Sequence, residues 1–243
     1  MGDMTYDEIN VLRKDIKAFN LILIEYAKKK SRVLNENDLS FFTFISKRIV
    51  FFKFFSLGDT SSQTNHFCKV MISDFYYLII SLINCELRYM YVNERSVIES
   101  YARLLTHKTV EQDHVTGQLL DSLKEKTYLF DYTEDDFALM KSEYSVACNF
   151  IHGGESLKES LLFIFQDFSE HVWSKDEVND YYERIKKMIK TFDKMLISEY
   201  KDYISGCFHR RKSLLEYLLG KDALNLFFNC SLVLIHVYFW VRL

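Results

Sequence analysis

The chain has 243 residues, no proline, 7 glycines and a net charge of −3. Its 49% hydrophobic and 27% charged residues are those of a globular protein with a real core, which excludes a disordered chain. The slightly acidic balance excludes a global basic field for nucleic acid and leaves only a local patch for that purpose.

Strand-rich folds draw on Gly and Pro for their tight turns, whereas long helices need neither. The composition therefore predicts an all-α, multi-helix bundle in one domain, with large side chains (21 Phe, 16 Tyr) filling the space between helices. Five cysteines, odd in number and without a C-x-x-C pair, are expected to be reduced and packed in a cytoplasmic protein. The first fifteen residues lack an apolar core, so no signal peptide is expected.

In chain order, Thr5 and Glu8 have the spacing of a capping box. Ile9, Leu12, Ile16, Phe19, Leu23 and Tyr26 then recur every three or four residues and predict a helix to about residue 30. Asn37 is the expected cap of a Phe-rich helix over 38–55, and 56–65 is the clearest loop. A strongly apolar helix is predicted over 66–90, then one over 94–107 capped by Asn93, and another from Thr109 to about residue 126. Thr133 and Asp136 open a helix ending at His152, stopped by Gly153 and Gly154. Residues 155–171 read as helix, with 161–165 also readable as a short strand. Ser174 and Glu177 form another capping box before a heptad-like helix (Val178, Tyr181, Ile185, Met188, Phe192, Met195) reaching Gly206. A short helix over 209–219 stops at Gly220. The apolar tail 224–243 reads as a buried terminal helix, a membrane or lipid contact, or an irregular partner-bound segment.

No Gly-rich phosphate loop, zincin motif or hydrolase elbow is present, and no cofactor is expected. Arg95, Glu99 and Arg103 fall at i, i+4 and i+8 and share one helix face. They read either as a solvated charge ladder or as two guanidiniums, steadied by one carboxylate, that hold a phosphate. Ser145, Asn149 and His152 form a second polar stripe at i, i+4 and i+7. His152 either caps its own helix or transfers a proton in a shallow cleft. His107, Glu111 and His114 contain half of a di-iron carboxylate pattern but lack the second half, so no metal is expected. His209, Arg210, Arg211 and Lys212 are a compact basic cluster, read as surface or as a phosphate contact.

The R-S-x-x-E-x-x-x-R helix (Arg95, Ser96, Glu99, Arg103), followed by a Y-S-x(6)-H-G helix end (Tyr144, Ser145, His152, Gly153), resembles the HEPN-like helical families of prokaryotic abortive-infection and toxin–antitoxin systems. The likeness covers about sixty central residues. It implies a helical bundle, frequent homodimers and, in active members, metal-independent RNA cleavage by an Arg and a His. Active members resemble R-x(4–6)-H, with four to six residues between the Arg and the His. Here Arg103 and His107 are separated by three residues, one too few. Two functions stay open: an endoribonuclease using His152 or His107 with Arg95 and Arg103, and a non-enzymatic interaction module whose partner is another protein or a second copy.

Overall fold

The chain folds as an all-α multi-helix bundle, seen in a computed structural model that describes residues 3–58, 62–107, 117–126, 133–152 and 173–228. Its helices are α1 (Asp3–Lys29), α2 (Glu36–Ser56), α3 (Ser62–Asn84), α4 (Leu87–Thr106), α5 (Gly117–Lys124), α6 (Glu134–His152), α7 (Lys175–Glu199), α8 (Lys201–Cys207) and α9 (Lys212–Leu219). Residues 221–228 are also helical, and no strand occurs among the described residues. The predicted stop at Gly153 and Gly154, the 155–171 segment, the Glu111 and His114 pair and most of the apolar tail lie outside the described residues.

Local chemistry explains most boundaries. The Ser174 hydroxyl accepts from the Glu177 amide while the Glu177 carboxylate accepts from the Ser174 amide, closing the predicted capping box of α7. Thr133 and Asp136 do the same for α6. Several expectations need correcting. The first helix begins at Asp3, so Thr5 lies inside it and does not cap it. The cap of α2 is Asn35 with Asp38, not Asn37. The long helix expected over 66–90 is broken after Asn84, and Asn93 sits inside α4 with its amide bonded to the Tyr89 carbonyl.

That break is a Schellman turn. The Glu86 amide donates to the Ser81 carbonyl at 2.9 Å and the Cys85 amide to Leu82, with Cys85 left-handed at φ +59°. The α1–α2 turn repeats the device. There Arg32 donates to the Ala27 carbonyl, Ser31 donates to Lys28, and Ser31 has φ +56°. Glycine usually fills this position, and neither turn has one. The predicted continuous helix to Gly206 is likewise divided at Tyr200.

The core is one continuous hydrophobic cluster. α3 and α4 form an antiparallel hairpin, and α2 and α7 pack against it. α2 supplies Phe41, Phe42, Phe51, Phe52 and Phe55, all fully buried. α7 answers with Tyr181, Tyr182 and Phe192. Phe41 stacks on Tyr182 at 4.2 Å between centroids and Tyr101 of α4 stacks on Phe192 at 4.8 Å. Residues Gln63–Asn84 are long and apolar enough to cross a membrane, yet half of that stretch is packed inside the bundle as a core helix.

Two charged groups sit at the centre. Arg48 of α2 and Asp193 of α7 are 3% and 1% exposed and pair at 2.9 Å. Nη1 and Nη2 also donate to the Leu218 and Leu219 carbonyls at the end of α9, and the second Asp193 oxygen accepts from the Tyr101 hydroxyl at 2.9 Å. Glu94 of α4 is also buried, beside Tyr181 and the carboxylate of Glu143, which pairs with Arg184. Burial, reinforced by the charge of Glu143, holds the Glu94 carboxyl well above its ordinary value of 4.5.

Two outcomes follow for urea unfolding. Asp193→Ala leaves a buried guanidinium unpaired and is expected to cost on the order of 3–5 kcal/mol, whereas an Arg48→Met, Asp193→Leu double variant recovers most of that loss. For Glu94, both states are protonated below 4.5. As pH rises above that value the unfolded chain ionises first, so the parent is expected to lose stability relative to Glu94→Gln, the gap widening with pH until the folded carboxyl also ionises. Equal pH profiles for the two proteins would contradict this.

Candidate functional site

The predicted ridge on α4 exists and is only partly solvated. Glu99 accepts from Arg95 Nε at 2.7 Å through one oxygen and faces Arg103 Nη2 at 3.5 Å through the other. One carboxylate thus ties the two guanidiniums along a single helix face, with Glu99 only 14% exposed. The opposite sides of α4 are held inward by Val97, Ile98, Tyr101 and Leu105, all buried.

α6 runs antiparallel to α4 and lies over this ridge. Its last turn meets Arg88 and Arg95 and its middle meets Glu99: Arg88 donates to the Ile151 carbonyl at 3.2 Å, Arg95 Nη1 meets His152 Nε2 at 3.3 Å, and the Tyr144 hydroxyl donates to Glu99 at 3.3 Å. The Arg95 guanidinium also lies over the Tyr144 ring at 5.8 Å. A guanidinium has hydrogens to donate and no lone pair to offer. In this contact His152 Nε2 is therefore the acceptor, and the ring proton belongs on Nδ1. Burial, with the neighbouring Glu99 charge, pushes the Tyr144 phenol up to about 12, so it stays protonated and donates at neutral pH.

α3 closes the other side. Phe67 lies under the Arg103 guanidinium at 5.7 Å. Further along, Asp74 is hydrogen-bonded to Ser96 and close to Glu99, and burial together with the Glu99 charge raises its carboxyl above the ordinary range. Spacing within one helix does not point to Asp74, Tyr144 or Arg88 as site residues. Tyr144 alone carried a signal, as the first residue of the Y-S pair.

His152 is exposed at the end of α6, and Ser145 and Asn149 are exposed on the same helix. No hydrogen bond links those two to the α4 ridge among the described residues. His107 does not join the group. It caps α4 one turn beyond Arg103 and twelve residues beyond Arg95, about 18 Å along the axis from the Arg95–His152 contact. There it is left-handed, with Nε2 2.6 Å from Glu199 and Nδ1 3.4 Å from the Tyr200 hydroxyl. Lys126 shares the same Glu199 oxygen at 3.3 Å. Within the basic cluster, Arg211 pairs with Glu8 at 3.4 Å and Lys212 lies 4.0 Å over the Phe227 ring. No group of three metal-ligating side chains occurs among the described residues.

The arrangement offers an imidazole lone pair, two guanidiniums and a phenol donor around one carboxylate, with the imidazole open to solvent. Such a set can accept a proton and hold a phosphate without a metal. Comparison of the chain with protein-family models, with curated proteins and with solved structures finds no match in any of the three.

Proposed function

We propose that this chain is an RNA-directed helical effector of the HEPN-like kind, acting in a prokaryotic cytoplasm as part of a defence or toxin system. The observation that carries the reading is the meeting of Arg95 and His152 across two helices at 3.3 Å. The Arg–His pair that active HEPN-like proteins place on one helix is supplied here by α4 and α6.

In the proposed reaction His152 Nε2 takes the proton of an RNA 2′-hydroxyl. The 2′-oxygen attacks the adjacent phosphorus, and the bond to the 5′-oxygen breaks. The products are a 2′,3′-cyclic phosphate and a 5′-hydroxyl, the leaving oxygen taking its proton from solvent. Arg95 turns from the imidazole to the phosphorane oxygens, Arg103 adds a second positive charge, and Glu99 orients both. The expected measurement is cleavage of total RNA by the purified chain in EDTA, leaving cyclic-phosphate ends. His152→Ala is expected to slow it by about 10²–10⁴-fold. RNA left intact at stoichiometric protein would reject the enzyme reading.

A second observation favours the interaction-module reading. α1 turns Val11 and Ile22 outward at 64% and 62% exposed, with Leu21 beside them. Under this reading the chain is a homodimer or an accessory subunit. Light scattering at micromolar concentration is expected to give a mass above that of one chain. A monomer, with unchanged mass for Val11→Lys, Ile22→Lys, would count against it.

A further inference from the structure

The two Schellman turns lie side by side and, with the start of α7, enclose a cleft of about 690 Å³ at one end of the bundle. That is within the size range of small-molecule sites, about 300–1,000 Å³. Left-handed non-glycine residues cost roughly 1–2 kcal/mol each. Two of the four among the described residues, Ser31 and Cys85, line this cleft.

Its lining is mixed, with an apolar strip formed by Leu82, Leu87, Met90, Val178 and the indole of Trp173 beside a nearly equal polar share. Of its charged groups, Asp38 is already satisfied. It is buried, accepts from the Tyr182 hydroxyl at 2.7 Å and the Asn35 amide at 2.8 Å, and faces Arg32 at 3.7 Å. Arg32 is occupied in turn, reaching the Leu82 carbonyl and Cys85 Sγ. That leaves Lys30 and Lys175 against Glu86. Neither lysine has an ion-pair partner among the described residues, while Glu86 accepts a 3.5 Å contact from the Asn84 amide. The cleft therefore combines an apolar strip with an excess of positive charge at its edge. It lies on the Leu87–Met90 side of α4, away from the face that carries Arg88, Arg95 and Glu99.

We infer that this cleft binds a small amphipathic anion, an apolar body carrying one negatively charged head, with Lys30 and Lys175 holding the head and Trp173 lining the body. The site is independent of the proposed RNA chemistry, because none of its residues belongs to the Arg95–His152 group.

The test uses the full chain carrying Trp240→Phe, which leaves Trp173 as its one tryptophan. Its emission is followed while dodecanoate or naphthalene-1-sulfonate is added, the first an aliphatic body and the second an aromatic one. A saturable change is expected with at least one of them, and which one responds identifies the body. With Lys30→Glu, Lys175→Glu in the same background the affinity is expected to fall by about tenfold or more, and dodecanol is expected to bind more weakly than dodecanoate by a similar factor. Both lysines are on the outside, so a melting curve matching the parent's shows that the fold is retained. No saturable change with either anion up to about 1 mM, the weakest affinity expected of a specific site, overturns the inference. So does equal affinity in the double-lysine variant or for dodecanol.

Discussion

The bundle is organised around one dry ion pair. Arg48 and Asp193 lie where water cannot help them, and their attraction offsets the cost of desolvation only if every remaining hydrogen and lone pair finds a partner. The pair thereby ties together four elements: α2 and α7, which carry it, the end of α9 and, through Tyr101, α4. A shift of any of these helices by one residue leaves a charge unmet. The pair thus sets register in a core whose stacked rings alone would allow sliding. It also reaches the candidate site. With Tyr101 held inward on Asp193, Glu99 two residues earlier lies about 200° around α4 and faces the opposite way. The carboxylate that unites Arg95 and Arg103 is outward-facing because the phenol near it is fixed inward.

Much of the architecture was legible before any coordinates. The capping pairs Ser174–Glu177 and Thr133–Asp136 satisfy orphan amides by chemistry that depends only on spacing, and α6 and α7 begin where those pairs put them. The heptad face of α7 is buried from Tyr181 to Met195 as its period requires, with Val178 at its start half-buried. What escaped were the ends whose signals are not written in the usual residues. The α3–α4 break is made by Cys85 in a conformation normally left to glycine, with no glycine or proline near it to mark the end. Arg32, distant in sequence, donates to the Leu82 carbonyl at that break. Asn35 and Asn37 are equally good caps by type. The choice of Asn35 follows from Asp38, which is held in place by Tyr182 from another helix.

The candidate site divides in the same way. The α4 ridge was readable because i, i+4 geometry is local. Its pairing with His152 depends on how α6 lies across α4, and no spacing within one helix encodes that. Asp74 and Tyr144 join for the same reason, each brought in by an antiparallel neighbour. His107 had a suitable residue type and a nearby arginine, but the end of α4 carries it to Glu199 and away from the ridge.

Glu99 has one more consequence. Its two oxygens already engage both arginines, so any anion arriving at the ridge meets an internal competitor fixed at close range. A phosphodiester that offers the guanidiniums better geometry than Glu99 does can share or replace its contacts. On the proposed RNA-directed reading, Glu99 is thus the internal competitor that an incoming phosphodiester must outbid for the two guanidiniums.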